Sequence, residues 1–181
     1  MLNNVIALLN GGGAGGGGSS FESIATSTPT SGSAITFSSI PSTYQYLQIR
    51  LQARFSGTDD RINLTFNSDT GSNYTYHWLV GDGAAASASG GATQTSALGV
   101  SYATGTASIA APSIIDIHDY ANTTKNKTIR SFNGWDTNGS GRIRLMSGLW
   151  MNTSAVNSVT LTLNSGTFAT GTSIALYGIK G

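Results

Sequence analysis

The sequence predicts an all-β protein, an antiparallel β-sandwich of jelly-roll-like type with an extended N-terminal arm. Three observations lead there. Ser, Thr and Gly number 25, 23 and 24 among 181 residues, and such residues are poor helix formers. Apolar side chains recur at every second position in run after run, the period of a strand with one buried face. Between the runs lie stretches rich in Gly, Asn, Asp and Ser, the residues of turns, and beyond residue 20 no twelve-residue stretch sustains the 3.6-residue apolar period of a helix.

The elements follow in chain order. The first expected strand is 35–37, running on to Ile40. The clearest is 44–55, where Leu47, Ile49, Leu51, Ala53 and Phe55 alternate with Gln48, Arg50, Gln52 and Arg54. Next come Ile62-Leu64-Phe66, Tyr74-Tyr76-Trp78-Val80, Leu98-Val100-Tyr102, Ile115-Ile117, 129–132, Ile143-Leu145, Val159-Leu161-Leu163 and Ile174-Leu176, ten strands in all. Turns are expected at 56–60, 67–73, 81–95, 121–127 and 136–141. The Ala-rich stretch 84–92 is laced with Ser and Gly and is read as extended loop.

The sharpest change of composition is GGGAGGGG at 11–18, followed by Ser19-Ser20. No Lys and Ser/Thr follow it in the spacing of a phosphate-cradling loop, so it reads as a flexible tether. Residues 1–20 are therefore taken as an anchoring arm plus tether, and 21–181 as the sandwich domain. Leu2, Val5, Ile6, Leu8 and Leu9 give the arm an apolar face too short to be stable alone in water. They are expected to bind a partner.

Charged residues make up 9% of the chain and leave a net charge of +1, against roughly a quarter charged in ordinary domains. Nucleic acid is not an expected partner, because its binding needs a basic footprint. With zero cysteines, disulfides, thiolate metal sites and thiol nucleophiles are excluded. No run approaches the roughly 20 apolar residues of a bilayer span, so no membrane partner is expected. The first ten residues lack a basic residue and hold only a five-residue apolar run, so export by a secretion signal is not expected either.

The titratable residues give little chemistry. Asp116 and His118 share one face of a strand, but no Ser in a nucleophile turn accompanies them. His77 faces opposite to Tyr76 and Trp78. Most carboxylates fall in turns, where Asp bonds its own backbone, so a glycoside-cleaving pair is not expected. The segment 67–73, NSDTGSN, alternates oxygen ligands but lacks a closing bidentate Glu, and reads as a hairpin turn. No catalytic residue, metal or cofactor is assigned. Six Asn-x-Ser/Thr triplets, beginning at Asn63, Asn73, Asn122, Asn126, Asn138 and Asn152, are read as by-products of an Asn- and Thr-rich surface. Tyr74, Tyr76 and Trp78 are assigned to the core, and Trp135 and Trp150, near turns, to a partner interface.

Several segments resemble a group of small virion structural proteins of tailed bacteriophages. They are SSFESIAT (19–26), FSSIPSTYQYLQIRLQAR (37–54), LTFNSDTGSNYTYHWLVGDG (64–83), IIDIHDYANTTKNKTIRS (114–131), SGLWMNTSAVNSVTLT (147–162) and FATGTSIALYGIKG (168–181). The resemblance implies a β-sandwich virion component without known catalysis, and it does not extend to the first ten residues. The expectation is a capsid decoration or cement protein, a homotrimer held by arm 1–18 on a neighbour. It would be assembled in the host cytoplasm and reside in the virion, with the major capsid protein or a tail or fibre component as partner. The alternative is a tail-fibre or adsorption module that binds host-surface glycans.

Overall fold

The computed structural model of the chain describes residues 20–181. The described residues form fourteen strands and no helix. They are β1 Phe21–Ser27, β2 Ala34–Phe37, β3 Tyr46–Ala53, β4 Phe55–Ser56, β5 Arg61–Phe66, β6 Tyr74–Gly81, β7 Ala86–Gln94, β8 Ala97–Tyr102, β9 Ala111–His118, β10 Lys127–Asp136, β11 Gly141–Trp150, β12 Val159–Leu163, β13 Thr167–Phe168 and β14 Ser173–Ile179. An eight-stranded sheet has the order β1-β14-β3-β9-β10-β11-β6-β7, and a four-stranded sheet the order β2-β12-β5-β8. The short pair β13-β4 stands beside them. Every ladder is antiparallel. The chain ends are interleaved in the sandwich: β14 inserts between β1 and β3, and β12 between β2 and β5.

Alternation builds the core. From the large sheet Leu47, Ile49 and Leu51, Ile115 and Ile117, and Ile174 and Leu176 point inward and are buried. They meet Ile62, Leu64 and Phe66 of β5 and Val159, Leu161 and Leu163 of β12 in one continuous cluster. Each such side chain contributes about 1.5–3 kcal/mol by leaving water. At one end Trp150 packs against Phe66 and Tyr74, with ring centroids 5.3 and 6.3 Å away.

All ten expected strands are present; the run 44–55 is divided at Arg54 into β3 and β4, β13 was not expected, and three further differences stand out. The strand over 35–40 stops at Phe37, and Ser39 takes a positive φ of 55° before Pro41. Strand β1 lacked a legible alternation because a bulge between Ser23 and Ala25 breaks its period. The stretch read as loop at 84–92 is largely β7. Its pairing with β6 depends on Gly90 and Gly91: a Cβ at Gly90 would lie 2.5 Å from the His77 ring, and one at Gly91 2.8 Å from the Tyr76 ring. Neighbouring rings lie over the two bare positions, one on each face of the sheet, and supply the packing that the strand's own side chains lack.

The loops at the Trp150 end are tied by polar groups. Lys127 is fully buried, and its Nζ donates to the carbonyl oxygens of Asn122 and Lys125 at 2.6 Å and of Thr153 at 3.0 Å. Burial lowers its pKa from the usual lysine value. Tyr120 donates its hydroxyl to the Pro41 carbonyl at 2.6 Å and accepts from the Tyr44 amide at 3.0 Å. Lys127→Met preserves the length of the side chain but leaves these loop carbonyls, and that of Asn152 at 3.5 Å, without their donor. It is expected to destabilise the fold by about 2–4 kcal/mol, read from the shift of the denaturant midpoint at unchanged m-value.

Candidate functional site

In a two-layer sandwich the outer face of a sheet meets water and is ordinarily polar. The large sheet departs from that rule over its central strands. Leu79 of β6 stands opposite Leu145 of β11, Leu145 opposite Phe132 of β10, and Phe132 opposite Ile114 of β9. Ile143, two residues from Leu145 on the same face, extends the patch. These five side chains are between 42% and 53% exposed, and cross-strand partners of this kind sit about 5 Å apart. They form one continuous apolar row across four strands. Ala88 of β7 prolongs the row beyond Leu79, and Arg50 of β3 closes it beyond Ile114.

Two surface troughs accompany the row. One, of about 1230 Å³, runs past Ile114, Phe132 and Ile143 to the turns carrying Asp82 and Asp136. The other, of about 590 Å³, lies over Leu79, Ala88 and Leu145 beside His77 and Arg130. Along one side of the row runs a polar chain. Arg50 Nε donates to Gln48 Oε1 at 2.7 Å, Gln48 Nε2 donates to Asp116 Oδ1 at 2.8 Å, and Arg130 Nη2 lies 3.5 Å from Asp116 Oδ2. An apolar centre bordered by paired polar groups is the anatomy of a protein interface.

The residues singled out from the sequence are placed as follows. Asp116 and His118 share the outer face of β9, but Asp116 is held by Gln48 and Arg130 while the His118 ring lies 5.4 Å from that of Tyr46. The structure does not pair them. Asp69, the one carboxylate of the 67–73 turn, accepts from Trp150 Nε1 at 2.7 Å, Gly71 N at 2.8 Å and Asn73 Nδ2 at 2.9 Å. Its pKa is lowered mainly by the Asn73 and Trp150 hydrogen bonds. The turn's carboxylate thus closes its own hairpin onto the core. Among the described residues no three His, Asp or Glu side chains gather as a metal-binding group, and no helix is long and apolar enough to cross a membrane.

Trp150, assigned above to a partner interface, is corrected: it is 1% exposed and belongs to the aromatic core. Its position in β11 has the inward phase, and Asp69 satisfies its indole N–H. Trp135 is half-buried at the end of the sandwich, where Arg142 lies 5.5 Å over its ring and 4.9 Å over Tyr102. Tyr74 is fully buried, and Tyr76 and Trp78 are half-buried against the core, as expected. Leu2, Val5, Ile6, Leu8 and Leu9, with the tether, lie outside the described residues.

Sequence reasoning missed the row itself. Its signal was present in the pairs Trp78-Leu79, Ile114-Ile115 and Leu145-Met146. In a strand, adjacent apolar residues must send one side chain to each face, so each pair announces an apolar outer position. Strand order was needed to see that the positions adjoin. Comparison with known proteins finds no matching family model, no matching curated protein and no matching solved structure.

A buried polar group lies on the other face of the same strands. Arg144 is 2% exposed, donates from Nη1 to the Tyr102 hydroxyl at 2.6 Å, and lies 4.9 Å over Trp78. Burial lowers its pKa. Gly99, at φ +63°, leaves room for the guanidinium, since a Cβ there would stand 2.7 Å from Arg144 Nη1. The Arg144 Nε and the Oδ1 of Asn133, its cross-strand partner, make no hydrogen bond among the described residues. This group organises the interior behind the row.

At the end of the sandwich Arg61 binds both oxygens of Asp59, Nε standing 2.9 Å from Oδ1, and Asn164 Nδ2 donates to Oδ2 at 2.6 Å. The hydrogen bonds with Arg61 hold the Asp59 carboxyl down at about 2. A carboxyl that titrates lower in the folded state than unfolded stabilises the fold above its unfolded pKa, and that contribution is lost as pH falls through the folded value. Stability is therefore expected to drop between about pH 4 and pH 2, and Asp59→Asn to flatten that part of the profile in thermal melts. Neighbouring β9 residues give a second test. Ile114→Ser should change stability by about 0.5 kcal/mol or less while lowering the binding of a hydrophobic dye, whereas Ile115→Ala should cost about 2–5 kcal/mol.

Proposed function

We propose that this protein is a non-enzymatic structural component of a tailed-bacteriophage virion, decorating or cementing the capsid as a homotrimer held by arm 1–18. The observation that carries the reading is the apolar row on the outer face of β6, β11, β10 and β9. No described residue covers it, and contiguous apolar surface of this kind marks an interaction site. The charge-poor composition agrees, because a near-neutral surface does little to keep neighbours apart. The resemblance of segments from 19–26 to 168–181 to virion proteins supplies the kind of assembly.

The described residues support a structural role over a chemical one. Asp116, His118 and Asp69 are each engaged by neighbours that fix the fold. A glycan-binding module would need open aromatic surfaces on which sugar rings can stack. Trp150 is in the core, and one face of Trp135 is covered by Arg142.

Deletion of residues 1–18 is expected to leave a folded, soluble domain, since the core closes without them. The truncated protein should fail to join particles when supplied during assembly, measured by the protein content of purified virions. Incorporation equal to that of the full chain would overturn the anchoring role.

A further inference from the structure

Among the described residues nothing covers the apolar row, and residues 2–9, outside them, are rich in apolar side chains. We infer that the row of one copy receives residues 2–9 of a neighbouring copy. The inference rests on the arm-anchoring reading above and deepens it by naming both the receiving surface and the partner, a second copy of this chain.

The chemistry of the two surfaces matches. Leu2, Val5, Ile6 and Leu9 stand at the spacing i, i+3, i+4 and i+7, which lines one side of a helical segment. The row offers Leu79, Leu145, Phe132 and Ile114, with Ile143 beside them, and no charged side chain within it. It is an open strip across four strands, flanked by troughs on both sides, and such a strip suits a short amphipathic segment laid along it. Residues 1–10 contain no charged side chain, so docking would bury none.

The geometry of the tether favours a neighbour over the same domain. The row crosses the sheet at the level of Thr26 and Ala175. Strand β1 starts at the other end of the sheet, where Phe21 faces Ile179. Ser20 therefore lies four to five strand spacings from the centre of the row and about five residues away along the strands, about 27 Å in all. A glycine-rich link from Leu9 to Ser20 has a root-mean-square span of about 18 Å. It would have to turn back and stretch beyond that span to reach its own row. A row on an adjoining copy, brought close to Ser20 by assembly, needs neither.

The chain has no cysteine, so introduced thiols report this contact alone. Full-length Ile6→Cys and full-length Leu145→Cys, one of them tagged, are mixed and mildly oxidised. The expected result is a covalent pair containing one chain of each kind, at least tenfold more abundant than with Thr36→Cys, an exposed position on the outer face of the small sheet. Adding Phe132→Asp to the Leu145→Cys chain should abolish the pair without moving its melting temperature by more than a few degrees. A mixed pair no more abundant than the Thr36→Cys control would overturn the inference. So would a double Ile6→Cys, Leu145→Cys chain that closes only on itself, which would assign the arm to its own domain. The virion reading is judged separately. If the mixed pair forms but particles take up the truncated chain normally, the virion anchoring role falls and the docking stands. If incorporation needs the arm but no mixed pair forms, the docking falls and the anchoring role stands.

Discussion

The four strands β9, β10, β11 and β6 carry large apolar side chains on both faces, and much of the molecule is arranged around that constraint. Their inner face is closed by the four-stranded sheet, through Ile115, Ile117, Ile129 and Met146 against the residues of β5, β8 and β12. No described residue forms a layer over their outer face. Strands buried on both sides belong to the middle of three-layer architectures, and here the described residues supply two of the layers. The large sheet is also twice as wide as its cover, with β1 and β7 at its margins. Strand β7 carries mostly Ala, Ser and Gly, β1 adds one exposed Phe21, and the contiguous apolar strip lies over the central strands.

The sequence made the inner half of this arrangement legible and left the outer half in cipher. Strand β3 could be read residue by residue, because Leu47, Ile49 and Leu51 alternate with Gln48, Arg50 and Gln52 and nothing disturbs the period. Strand β1 could not, because its bulge moves Ile24 and Ala25 out of phase. Strand β7 could not either, because its pairing relies on rings that belong to β6. Turn proximity suggested exposure for Trp150, whereas the phase of β11 and the carboxylate of Asp69 bring it inside. In each case the deciding partner is distant in sequence. The row is the extreme example: Leu79, Ile114, Phe132 and Leu145 come from four separated segments that only the strand order brings together.

Polar groups inside the sandwich are placed with similar economy. The guanidinium of Arg144 has a hydroxyl and two aromatic rings for company and no carboxylate among the described residues. A buried cation without a counter-charge is costly, and cation–π contacts and the Tyr102 hydroxyl offset part of that cost. Ser101 and Ser113 share a hydrogen bond of 2.6 Å nearby. These groups join β8 of the small sheet to the back of the strands that carry the row, so the row is presented on a stiff platform.

The ammonium of Lys127 has a consequence for where such a domain can live. It gathers carbonyls from two loops, 121–126 and 151–158, much as a cross-link would. A covalent clasp made of sulfur opens in the presence of thiol reductants, whereas this one responds to neither reductant nor oxidant. This closure of the two loops therefore does not depend on the redox potential around it.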